Sequence, residues 1–87
     1  MKAVITVIGK DKTGIIFKVS KILYENGINI EDISQTIMQD YFTMIMLVSS
    51  ESAINVSRIK EKFASLKDEG LSVEIQKTEI FDVMHNI

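Results

Sequence analysis

Residues Lys2 to Gly9 (KAVITVIG) form a short β-branched run closed by a polar segment, the pattern of a strand. The next five positions, Lys10-Asp11-Lys12-Thr13-Gly14, hold no apolar residue. The period then changes: Ile15, Val19 and Ile22 stand at i, i+4 and i+7, and Leu23 widens the stripe. This predicts an amphipathic helix from Ile15 to Asn26. Thr13 is its expected N-cap, because a hydroxyl there accepts from a first-turn amide. Gly27 falls at the C′ position, where a residue without Cβ turns left-handed and lets Ile28 fold back on Leu23.

Asn29 to Gln39 reads as a second strand, with Ile28 and Ile30 on one parity and Ile33 and Ile37 on the other. A bulge near Glu31-Asp32 reconciles the two sets. Asp40-Tyr41 marks a turn, and Phe42 to Ser49 (FTMIMLVS) supplies a third strand to pair with the second as a hairpin. Asn55 is the next expected N-cap, with Ile54 and Ile59 placed as a hydrophobic staple. Val56, Ile59, Phe63 and Leu66 give a second helical stripe, and Gly70-Leu71 repeats the ending seen at Gly27-Ile28, 43 residues earlier. Leu71, Val73 and Ile75 alternate with Ser72, Glu74 and Gln76, as in a half-exposed strand. Beyond residue 78, Ile80, Met84 and Ile87 are spaced for a short tail helix over 79–87.

The order β-α-β-β-α-β is that of the ferredoxin-like split βαβ, an α+β fold. Right-handed crossovers put the first and third strands at the centre of a four-stranded antiparallel sheet of order 4-1-3-2, with both helices on one face. The apolar pattern agrees, since only the first and third strands are apolar on both parities. Helices cover one face, so a partner sheet or the tail residues Ile80, Phe81 and Met84 must cover the other.

Length and composition narrow the field. With 87 residues and 9.8 kDa, the chain is one domain, and its 46% apolar and 25% charged residues are those of a globular protein. A domain this small buries only roughly 60 to 65% of its unfolded surface, so a homo-oligomer is expected. There is no cysteine, which removes disulfides, thiolate metal sites and cysteine nucleophiles. A net charge of −2 argues against nucleic acid as a partner. The longest apolar run, Met44 to Val48, is too short for a membrane span or a secretory segment, so a cytoplasmic protein is expected.

The Gly9 to Gly14 loop carries the clearest chemical signal. It joins a central strand to a helix start, where the amides of Gly14, Ile15 and Ile16 suit an anion and Lys10 and Lys12 add positive charge. Residues 1–21 hold five lysines and one aspartate, whereas residues 22–57 hold five acids and no base. The plainer alternative is a solvated, well-capped loop. A P-loop is excluded because Ile15 and Ile16 stand where its lysine and hydroxyl are needed, and no dinucleotide fingerprint is present. Single His85, near Asp82, does not make a metal site. The adjacent acid pairs Glu31-Asp32 and Asp68-Glu69 diverge rather than share a proton, and Ser49, Ser50 and Ser52 lack a base. No catalytic residue is therefore assigned. The central strands offer no aromatic platform for RNA, and Met38, Met44 and Met46 read as core or interface.

With these residues in view, the chain resembles an ACT domain over residues 1 to about 78. The likeness rests on the apolar first strand, on Asp11-Lys12-Thr13-Gly14 beside the family's Asp-x-Pro-Gly pattern, on the helix that follows, and on Gly27-Ile28-Asn29-Ile30 opening the second strand. Thr13 departs from the commoner proline, which loosens the loop but leaves Gly14 open to close approach. The resemblance implies a domain over residues 1–78 with residues 79–87 as a tail. It is similar to short stand-alone bacterial members and to the sensor halves of glycine-cleavage repressor-like proteins. It further implies a regulatory module without enzymatic activity, cofactor or metal, binding an amino acid or similar carboxylate. The matching ligand positions are Asp11, Thr13, Gly14 and Ile15 in one copy, then Asn29 and Ile30 in another. The alternative is an assembly module whose exposed sheet face is its function and which binds no ligand.

Overall fold

The computed structural model describes residues 1–10 and 14–78. Asp11, Lys12 and Thr13, and the expected tail helix over 79–87 with His85, lie outside the described residues. The elements are β1 (Lys2–Gly9), α1 (Ile15–Glu25), β2 (Asn29–Met38), β3 (Tyr41–Ser49), α2 (Val56–Ala64), a 3-10 turn (Ser65–Glu69) and β4 (Leu71–Lys77). The four strands form one antiparallel sheet of order β2-β3-β1-β4, the expected order read from the other edge.

Alternation in the strands sorts side chains onto two faces. Ala3, Ile5 and Val7 of β1 and Met44, Met46 and Val48 of β3 are fully buried, in one cluster with Ile15, Val19 and Leu23 of α1 and Ile59 and Phe63 of α2. Both helices therefore lie on one face of the sheet, and the core sits between the layers. At about 25 cal/mol per Å² this shared burial is the dominant favourable contribution to folding.

The local signals act where the sequence places them. Ile28 N–H donates to the Leu23 carbonyl (3.0 Å) and Gly27 N–H to the Tyr24 carbonyl (3.1 Å), with Gly27 at φ 69°, so α1 ends in a Schellman turn. In β2 the register shifts between Ile30, opposite Val48, and Asp32, opposite Leu47, which makes Glu31 the bulged residue. The hairpin turn is Gln39-Asp40, with Gln39 at φ 54°, so β2 stops one residue earlier and β3 starts one residue earlier than expected. Arg58 N–H donates to Asn55 Oδ1 (3.1 Å), and Ile54 and Ile59 are both buried. Leu66 is buried as the stripe requires, but on a 3-10 turn: the last turn of α2 tightens before Gly70 (φ 81°) reverses the chain.

Candidate functional site

The connection from β1 to α1 is set by two glycines for different reasons. Gly9 pairs with Leu71, and a Cβ on it would come 2.5 Å from Leu71 Cδ2 and 3.3 Å from the Gly70 carbonyl oxygen, so a side chain there would have to displace that of the buried Leu71. Gly14 is different. Its φ of 74° is left-handed, and among the described residues a Cβ would meet only Lys18 Cε at 3.9 Å. The backbone favours glycine there, and no described residue crowds the space beside it.

Gly14 also corrects the expected cap. It occupies the N-cap position of α1, with its carbonyl taking the first helical bond from Lys18 N–H (2.9 Å), and among the described residues no side chain caps the helix. A cap at Thr13 would begin the helix one residue earlier, and the left-handed turn at Gly14 prevents that. The donors without a helical partner are then the N–H groups of Ile15, Ile16 and Phe17, one residue further on than the trio read from sequence. No acidic residue stands in the first turn. The Ile15 side chain is buried in the core, so Ile15 offers only its backbone here. Phe17 is 69% exposed beside this opening. Sequence reasoning passed over it, although an aromatic residue off the buried stripe was the available signal.

Two expected contributors sit elsewhere. Lys10 does not face the helix start: its Nζ lies 5.7 Å over the Tyr41 ring, on the side of the sheet away from the helices. Asn29 and Ile30 open β2, just past the far end of α1. Eleven residues of helix put about 16 Å between that end and Gly14. Within one chain, the structure thus brings Gly14 and Ile15 together and Asn29 and Ile30 together, but does not unite the two pairs. Asn29 is exposed and lines a hollow of about 430 Å³ with Gly27, Ser50, Glu51 and Ser52, while Ile30 is half-buried opposite Val48. Among the described residues, no three His, Cys, Asp or Glu side chains gather as a metal would need, and no helix is long and apolar enough to cross a membrane.

Residues 2–76 match the family model of the ACT domain, and the chain belongs to that family of small-ligand regulatory modules. The chain is 56% identical to a UPF0237 protein of Clostridium perfringens, with full coverage of both. In structure it is similar to an ACT domain protein from Streptococcus pneumoniae, with TM-score 0.85, 44% identity and 93% of each chain covered. It also resembles the regulatory subunit of aspartate kinase from Thermus thermophilus, with TM-score 0.63 and 27% identity, covering 86% of this chain and 50% of that one.

Proposed function

We propose that this protein is a non-enzymatic regulatory module that binds a small carboxylate metabolite, an amino acid first among them, at the β1–α1 loop between two copies of the chain. The observation that carries the reading is the start of α1 at Gly14, which no described side chain caps. Three amides there lack a helical partner, the glycine leaves room above them, and no acidic residue of the first turn repels an anion. A ligand carboxylate would take these amides, and its ammonium group would be held by Asp11 or by the Asn29 side-chain oxygen of a second copy. Thr13 and Ile15 would frame the loop side, and Ile30 the strand side. The separation of Gly14 from Asn29 within one chain supports a site shared between copies. The regulatory aspartate kinase subunit among the structural relatives supports the class of function. A cytoplasmic location fits a metabolite sensor.

The second reading, an assembly module with no ligand, draws on Ile8 and Ile45, which remain 45% and 48% exposed on the sheet face without helices. A thermal-shift panel of amino acids and metabolic carboxylates at two protein concentrations separates the two, because only a ligand of the native state raises stability by mass action. For a ligand found this way, Asp11→Ala is expected to weaken binding by about 1 to 3 kcal/mol in calorimetry. A ligand whose affinity ignores Asp11→Ala and substitution of Gly14 overturns the site, and a panel without any ligand favours the assembly reading.

A further inference from the structure

The sheet has two edges, and hydrogen-bond parity makes them unlike. Thr78 N–H donates to the Lys2 carbonyl (3.2 Å), which fixes the phase of the β1–β4 ladder, so Ser72, Glu74 and Gln76 turn their backbone groups toward β1. The backbone groups of Leu71, Val73, Ile75 and Lys77 therefore point out of the sheet. At the other edge, Ser50 N–H donates to the Met1 carbonyl (2.9 Å), so the odd-numbered residues of β3 face β2, and the outward groups past the bulge in β2 are those of Ile33, Gln35 and Ile37. That edge is partly closed. The bulge at Glu31 interrupts it, and Asp32 Oδ1 accepts from the outward Ile33 amide (2.9 Å). β4 pairs with β1 without a register shift, and among the described residues no side chain takes its outward amides.

A groove of about 300 Å³ runs between this open edge and α2, lined by Lys60, Ala64 and Lys67 on the helical side and by Ser72, Val73 and Glu74 on the strand. Lys60, Ala64 and Lys67 stand at i, i+4 and i+7, so they form one stripe, and the small Ala64 leaves room between the two lysines. No described side chain pairs with either lysine. Glu74, the acid among these lining residues, stands on the face of β4 away from the helices, because Val73 and Ile75 alternate with it toward the core.

We propose that β4 takes up an extended acidic segment of another protein as an antiparallel fifth strand. Backbone bonds to Val73 and Ile75 hold the segment, and its side chains on the helical side meet Lys60 and Lys67. Two turns of helix, about 11 Å, separate these lysines, the span of three or four strand residues, so acids at alternate positions reach both. Side chains on the other side meet Ser72, Glu74 and Gln76 and are neutral or basic. A second copy is the wrong occupant. Antiparallel pairing of β4 with itself brings two Lys60–Lys67 stripes together on one side of the joined sheet, and pairing centred on Glu74 sets that acid against its own copy. The edge is separate from the proposed ligand site at Gly14 and acts whether or not a ligand binds.

Fluorescence anisotropy of a labelled seven-residue peptide of alternating glutamate and threonine, added to the full chain, tests the assignment. Binding is expected, and the amides of Val73 and Ile75 should gain hydrogen-exchange protection while those of Gln35 and Ile37 do not change. N-methylation of the peptide's glutamates, whose amides face β4 in the antiparallel pairing, should abolish binding without altering charge, and N-methylation of its threonines should not. Lys60→Glu combined with Lys67→Glu, both exposed and verified as folded by circular dichroism, is expected to weaken binding about tenfold or more. Lys21→Glu, on the exposed side of α1, should leave it within about twofold. Undiminished binding of the glutamate-methylated peptide, equal loss in Lys21→Glu, or no binding at about 1 mM peptide overturns the proposal. Protection of Val73 and Ile75 without peptide overturns it too: protection that rises with protein concentration makes a second copy the occupant, and protection independent of concentration makes it residues 79–87.

Discussion

The two helices of this domain begin in opposite ways. Asn55 closes the start of α2 with its own side chain on the Arg58 amide, and Ile54 packs beside Ile59 to fix the entry of the chain. Gly14, in a backbone conformation suited to glycine, has no side chain to do the same, and no other described residue caps the start of α1. Their far ends, by contrast, are alike, with Gly27 and Gly70 both left-handed and Ile28 and Leu71 both returned to the core. Among the described residues, one βαβ half is thus capped by its own side chain and the other leaves the first amides of its helix without one. In a repeated unit, the half that departs from self-sufficiency is the place to look for a ligand.

The comparison predicts that the halves are equal in packing and unequal at their starts. Ile15→Ala and Ile59→Ala should each destabilise the domain by about 2 to 5 kcal/mol in urea denaturation. A loss below about 1 kcal/mol at either position would show that half to be poorly anchored. At the helix starts the effects should be smaller and of different origin. Gly14→Ala is expected to lose about 1 to 2 kcal/mol through left-handed strain, and Gly14→Asn less, since asparagine tolerates that region. Asn55→Ala should lose about 1 kcal/mol through the missing cap. If Gly14→Asn proves as damaging as Gly14→Ala, strain is not what separates the two starts. Smallest is Lys10→Ala, expected to change stability by only about 0.5 to 1 kcal/mol, because its ring contact with Tyr41 is exposed. A larger loss would place Lys10 in the folding of the loop.

Most of the fold was legible because its determinants are local or periodic. The parity conflict between Ile30 and Ile33 could be resolved only by an extra residue, and Glu31 is that residue. Two-sided apolarity in β1 and β3 marked the central strands before any pairing was known. The helix start was misread for a definite reason: the capping preference ranks Thr13 above its neighbour, but the left-handed turn at Gly14 decides where helical geometry can begin. Leu66 was correctly placed in the core, yet periodicity near the end of a helix does not distinguish an α turn from a 3-10 turn. For the site, Lys10 looked like part of the helix-start charge because it is close in sequence. Its actual neighbour, Tyr41, is brought beside it by the pairing of β1 with β3, a register that no local pattern encodes. The distance between Gly14 and Asn29 was likewise invisible until α1 was laid between them.

The position of β1 bears on how the chain folds. The strand of this domain that is synthesised before the other three is paired on both sides, to β3 through Ser49 and to β4 through Lys77, and both neighbours are made later. The β1–β4 ladder joins residues about 60 to 75 positions apart, so its loop-closure entropy is met before its contacts reward it. Hairpin β2–β3 and helix α1 can form from neighbouring residues, but Ile5 and Val7 have no second neighbour until Leu71 to Lys77 has been synthesised. Cooperative folding of the domain is therefore expected to wait until β4 is made, and a nascent chain halted before Leu71 would present an open apolar strand edge to chaperones.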